Sequence, residues 1–536
     1  MIALTVPSEP TIRQLMTSHY VNQVTSKQKI FTRMLVCALV ALFAVTHCWA
    51  LLSWNALFWD DWTLLTTGAN NILRIFKLTG FDLLGTFHVW FSPFGVGAYK
   101  VLTLCSLALM SFLVFLILRQ YGFDEIQACC VTALFIAAPL NTSKIAAINV
   151  PGTLFATVFF LAWVLLLRDL QKPSPLQRLC VLALFSVAFY FPSSLAFFAL
   201  PVMSVAWHAF HSSRMWSHRF GIFFRRADML ALPFAQFAIF RYFFFKPDAS
   251  IAAEYHKFGI RSSRLQEAVD RIQADILLDM PWVVKIVLLI LPLLLLLRLL
   301  KSPTVQKSKT IRSADWCLIV GLSACFFALL PYAAVGRLPV FSDWNSRYHL
   351  YLPFGFALVC WGICQYITAH TGWKWLGISA FSVMLLMSVW FSVSSYLEYA
   401  NDWRKQQQLM DEMQKLSFVN PSDNIVFIDS VNYAKRRFLR HNEYTQMMLR
   451  AQPGWHSIAL SYSQLIAMGN GSLKNYITKL GGSNKIKAEP LVFGLPSQWR
   501  WEDKCVVLKI YEFDGHVQIE TANNSSTIVE PCFLAP

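Results

Sequence analysis

Charge is what this chain has least of. Of its 536 residues only 14% are Asp, Glu, Lys or Arg, where a soluble domain carries roughly a quarter. Acid is the scarcer sign, with 30 carboxylates against 46 basic residues. A water-soluble globular protein is excluded on that ground. Metal-ligand cysteine spacing is also missing. The 12 cysteines sit mostly in apolar blocks, as Cys105, Cys129, Cys130 and Cys180 do, and read as small buried hydrophobes. Cys505 and Cys532 lie in the C-terminal part, where an oxidising compartment would let them pair. A cleavable signal is not expected, because the polar start "MIALTVPSEPTIRQ" is too long before the first apolar block. That block reads as a retained anchor.

What is present is apolar sequence, 56% of the chain, in blocks of about 16–22 residues that suit a bilayer core. The fold class expected is an α-helical polytopic membrane protein. About eleven transmembrane helices are predicted, near 32–52, 100–118, 126–140, 152–167, 179–192, 195–210, 228–245, 282–300, 315–334, 349–368 and 374–396. The stretch "YFPSS" between the fifth and sixth can also be a kink in one long helix. The net charge of +16 would suggest nucleic acid in a soluble protein. Here the basic residues fall in short loops, with no aromatic-plus-basic pattern, so no nucleic-acid partner is expected. Lys27, Lys29 and Arg33 place residues 1–31 in the cytoplasm. Alternation then puts the basic loops 168–178, 211–228 and 298–312 on that side too, and the C-terminus on the other.

Three pieces on the non-cytoplasmic side are long: 53–99, 246–281 and the tail. Residues 32–399 thus form the membrane domain. Residues 400–536 are expected to be a small α/β domain, with "NIVFI", "CVVLKIYEF" and "HVQIE" as strands and "DWRKQQQLMDEMQKL" as an amphipathic helix. No 20–50-residue repeat occurs in the tail.

The motif "FWDDW" (58–62) follows the first apolar block. Trp59 and Trp62 suit an interfacial belt. Partial desolvation and mutual repulsion there would raise a carboxyl pKa, and a base so tuned can take a proton from a hydroxyl. The competing reading is that Asp60 and Asp61 cap the amphipathic stretch behind them. In "FHVWFSPFGVGAYKV" (87–101), His88, Tyr99 and Lys100 stand at interface depth, where a cation can meet a lipid phosphate or merely snorkel. In "FSDWNSRYHLYLPFGFAL" (341–358), Asp343, Arg347, Tyr348 and His349 stand at the entry to a span. Arginine there suits bidentate capture of phosphate or an interfacial anchor.

"NALFWDDWTLL", "HVWFSPFGVGAYKVLTLCSLALMSFLVFLIL", "NSRYHLYLPFGFAL" and "YANDWRKQQQLMDEM", in that order over most of residues 50–415, resemble C-type (GT-C) membrane glycosyltransferases. The nearest branch is that of protein O-mannosyltransferases and their bacterial relatives. The resemblance implies an enzyme that moves a sugar from a polyprenyl-phosphate donor to a glycan, lipid-linked glycan or protein acceptor. It implies Asp60 as the base, with Asp61 orienting the acceptor, and leaves Asp60 and Asp61 as ligands of a divalent cation such as Mg or Mn where one is used. It implies Arg347, Lys100, His88 and His349 around the donor phosphate. Trp59, Trp62, Tyr99, Asp343, Tyr348, Glu254 and His256 would line the substrate pocket. Two departures leave the acceptor open: the pair is Asp-Asp where many relatives have Asp-Glu, and the tail lacks tetratricopeptide repeats. A transporter or flippase of lipid-linked sugars, and a non-catalytic scaffold, are the competing functions. Few charges lie inside the spans, which counts against transport. The expected compartment is a bacterial inner membrane with the tail in the periplasm. N-glycosylation triplets at Asn141, Asn470 and Asn524 leave the endoplasmic reticulum as the alternative.

Overall fold

The computed structural model describes residues 30–191, 193–212, 216–244, 280–300, 309–334, 341, 344–421, 423–431, 437, 439–462 and 505–521. The expected loop 246–281, with Glu254 and His256, lies almost wholly outside these residues. So do Asp343, Asn470, Asn524, Cys532 and the side chain of Cys505.

Among the described residues seven helices are long and apolar enough to cross a membrane: Ile30–Ser53, Asp82–Gln120, Ala147–Gln171, Ser193–Phe210, Ser313–Ala334, Leu352–Thr371 and Lys374–Gln414. The chain is therefore a helical membrane protein, but the count of eleven is not what the helices show. At 228–245 helix Ala227–Ile239 runs on as the π-helical turn Phe240–Phe244; at 126–140 and 179–192 the helices are Glu125–Ala137 and Pro175–Ala188, with 13 and 14 residues. At 1.5 Å per residue these rise only ~20 Å, short of a hydrocarbon core of about 30 Å. The apolar stretch at 282–300 is a helix with Pro292 inside it. Apolar composition fixed where chain is buried but not how far each helix runs. The break at "YFPSS" is real: one helix stops at Ala188 and the next begins at Ser193.

The segment expected as the first long loop is mostly helical. Asp61–Thr66, Ala69–Thr79 and Asp82–Phe91 follow one another. Ala69–Thr79 ends on Gly80 in the left-handed region, the usual glycine stop. Deeper in the bundle, Lys309–Ala334 and Leu352–Thr371 cross at small residues. A Cβ on Gly355 would lie 2.6 Å from the Cys325 amide nitrogen and 2.7 Å from the Gly321 carbonyl oxygen. Only hydrogen there permits so close an approach.

Lys374–Gln414 is one helix of 41 residues, ~60 Å long at the α-helical rise. It passes straight through the expected 399/400 boundary. Its buried residues change from Met384 and Phe391 to Asp402, Lys405 and Gln406, then to Leu409 and Met413. The last pair meets a four-stranded sheet of order β2-β1-β3-β4. Strand β1 (Asn424–Asp429) pairs in parallel with both β2 (Ala459–Ser461) and β3 (Cys505–Phe513). Strand β4 (His516–Thr521) returns antiparallel to β3, through Asp514 and Gly515, both at positive φ, as a tight hairpin turn requires. Three expected strands are thus present. Helix His441–Ala451 packs on the sheet through Tyr444, Met447 and Met448. Leu57 and Trp62, from the far end of the sequence, belong to the same core.

Candidate functional site

The two aspartates have different surroundings. Asp61 is fully buried. Its Oδ2 accepts from the backbone N–H of Ala147 at 2.9 Å and of Phe58 at 3.3 Å, and its Oδ1 accepts from Ile148 N–H at 2.9 Å. The carboxylate thus caps the start of the Ala147–Gln171 span, not the helix in which it sits. Burial pushes its carboxyl up to about 6, and the three N–H donors with the nearby Lys100 charge limit that rise. Asp60 is partly buried. It occupies the N-cap position of Asp61–Thr66 without making the capping bond. Its Oδ1 accepts from Asn442 Nδ2 at 3.1 Å, and its Oδ2 accepts no hydrogen bond among the described residues.

Trp59, just before them, is wholly buried with φ +53°. A bulky residue pays for that conformation unless its surroundings hold it. Here its N–H donates to Glu443 Oε1 at 2.8 Å. Glu443 is ion-paired with Arg437, both fully buried, and Arg437 Nε lies 3.1 Å from Asp402 Oδ2. The Arg437 guanidinium also stands 5.0 Å from the ring centres of Phe58 and Trp59. Burial pushes the Glu443 carboxyl up to about 7, against the pull of Arg437. Trp62 Nε1 donates to Gln406 at 2.8 Å, and Gln406 donates to Asp402 at 2.7 Å.

Trp59 packs on Trp344 and Tyr399 with ring centres 5.5 and 5.7 Å apart. The Arg347 guanidinium lies 3.9 Å from the centre of Trp344 and donates to the Tyr348 hydroxyl at 3.2 Å. Among the described residues it makes no ion pair. The turn Trp344–His349 is tied down by Ser346, whose Oγ accepts from Ser143 N–H at 2.9 Å and lies 3.0 Å from Thr142 Oγ1. The segment 142–148 therefore holds Arg347 through Ser346 at one end and Asp61 through its amides at the other.

The remaining expected residues divide. Lys100 is buried beside the pair, its Nζ 3.4 Å from Ser53 Oγ and 5.0 Å from the Phe58 ring centre. Its charge acts on Asp61. His88 and Tyr99 lie in a neighbouring packed layer with Phe76, and His88 Nδ1 is 3.3 Å from the Tyr99 hydroxyl. His349 is buried against Phe341, and burial pulls its imidazole down to about 3, so it is neutral at pH 7 and brings no charge to a phosphate. A divalent cation does not fit Asp61, whose oxygens face amide hydrogens. No group of three or more His, Cys, Asp or Glu among the described residues could hold a metal ion.

Comparison with family models and with curated proteins finds no match. Beyond the expected residues, the cluster contains Trp344, Tyr399, Asp402, Arg437, Asn442 and Glu443. Glu443 meets Trp59 across 384 residues of sequence, a distance no local pattern spans.

Proposed function

We propose that the chain is a membrane glycosyltransferase that moves a sugar from a polyprenyl-phosphate donor to a hydroxyl acceptor. The observation that supports it is a chain of contacts: Asp60, with one carboxylate oxygen unengaged among the described residues, follows Trp59, whose ring packs on Trp344, and Arg347, with no carboxylate partner among the described residues, lies over the same Trp344 ring. The roles follow from the surroundings. Asp61 is committed to three N–H donors, so Asp60 is the base. It takes the acceptor proton as the acceptor oxygen attacks the sugar C1. The bond from C1 to the phosphate oxygen breaks, and polyprenyl phosphate departs carrying the negative charge. Arg347, fixed flat on Trp344, offsets that charge as it develops. Asp61 ties the acidic loop to the Ala147 and Ile148 amides, and the Lys100 charge acts on Asp61. The reading places the site at the non-cytoplasmic face of a bacterial inner membrane, with the C-terminal part in the periplasm.

The test uses the purified full chain in lipid nanodiscs with labelled undecaprenyl-phosphate hexoses. Asp60→Asn is expected to lower transfer by about 10²–10⁴-fold, the usual weight of a general base. Arg347→Ala is expected to weaken turnover at least about tenfold. Wild-type rates from the Asp60→Asn, Asp61→Asn double variant would remove the acidic pair from any such reaction.

A further inference from the structure

Helix His441–Ala451 starts beside Asp60, and its start does not need the side chain of Asn442. Arg440 N–H donates to Glu443 Oε2 at 3.0 Å, so the helix end is closed by its neighbours. Asn442 is nevertheless 7% exposed. Its Nδ2 donates to Asp60 Oδ1, and since a carboxylate oxygen only accepts, the amide orientation is chemically fixed. That leaves Asn442 Oδ1 buried with no hydrogen-bond partner among the described residues. A buried carbonyl oxygen without a donor is costly and rare. The neighbouring Asp60 Oδ2 likewise accepts nothing among the described residues. One 3.1 Å bond thus joins two side chains, each with an unused acceptor oxygen.

We infer that Asn442 is an acceptor-positioning residue: its Nδ2 fixes the base Asp60, and its Oδ1 takes a hydrogen bond from a hydroxyl adjacent to the one that reacts. Two neighbouring acceptor oxygens match the vicinal hydroxyls of a sugar ring. They do not match the lone hydroxyl of a serine or threonine side chain. The acceptor is therefore a glycan. This inference rests on the proposed transfer reaction and adds the substrate class.

The experiment gives the reconstituted full chain labelled undecaprenyl-phosphate mannose, glucose and galactose. Acceptors are extracted lipopolysaccharide, methyl hexosides with their monodeoxy analogues, and a threonine-containing peptide. The wild-type chain should use a glycan in preference to the peptide, and removing one hydroxyl beside the reacting one should lower kcat/KM about tenfold or more. Asn442→Ala should raise the acceptor KM about tenfold, leave the donor KM within twofold, and lose discrimination against the deoxy analogue. Asn442→Asp keeps an oxygen toward the acceptor but no donor toward Asp60, so it should lower kcat with the acceptor KM within twofold. The deoxy arm uses the wild-type chain and stands even where a variant fails to fold. An unchanged acceptor KM in Asn442→Ala, or equal rises in both KM values, overturns the inference. So does transfer to the peptide and to no glycan, which leaves the proposed reaction standing. No transfer by the wild-type chain to any acceptor removes both.

Discussion

Asp60 and Asp61 are neighbours in sequence, yet only one is sealed. The short helix that begins there turns Asp61 inward to the Ala147 and Ile148 amides and leaves Asp60 half open beside Asn442. Substitution should separate the two. Asp61→Asn sets an amide against three N–H donors and strands Lys100, so it should cost about 1–3 kcal/mol of stability. Asp60→Asn should stay within about 0.5 kcal/mol. Thermal melts of both variants in one detergent check this. Glu443 offers a pH test. Its folded pKa of about 7 lies above the usual 4.5, so the folded state holds the proton more tightly and stability falls as pH rises through that window. Glu443→Gln removes this titration. Apparent Tm plotted from pH 4.5 to 7 should then fall less steeply than in the wild-type chain.

At the scale of elements, "FWDDW" and "NSRYH" were legible because both pair charge with aromatics at the edge of an apolar block, an arrangement few structural roles require. Their meeting point was not. Trp344 and Ser346 do the joining, and nothing in their spacing says that Ser346 will tie to Thr142 and Ser143. Asn442 and Glu443 carried no signal, because a side chain turned to solvent and one turned to another segment look alike in a single sequence. The span count failed for a related reason. Hydropathy reports what surrounds a segment, and a 13-residue helix packed among others is as apolar as one that crosses lipid. The crossing at Gly355 is checkable. Gly355→Val forces the helices Lys309–Ala334 and Leu352–Thr371 apart, just after the Arg347 turn. A loss of about 1–3 kcal/mol is expected from overpacking, read as a lower melting temperature.

Across the whole molecule, the C-terminal α/β part was legible as strands and a helix but not as a dependent of the rest. Its core contains Leu57 and Trp62 from the first loop and Leu409 and Met413 from helix Lys374–Gln414. A fragment of residues 415–536 lacks all four, so it should unfold without a cooperative transition when made alone. Full-length protein should show a single coincident transition by fluorescence and by circular dichroism. Cooperative melting of the fragment would show that the borrowed side chains are dispensable.

The twist at Trp59 has a consequence in time. The tryptophan leaves the ribosome early, but the carboxylate that keeps its backbone in that posture is made 384 residues later. A nascent chain already threaded into the bilayer can set Asp61 on the Ala147 and Ile148 amides, but Asp60 still waits for Asn442. The Trp59–Glu443 hydrogen bond forms only once helix His441–Ala451 has been made, so a chain released before that point lacks the contact that holds this turn.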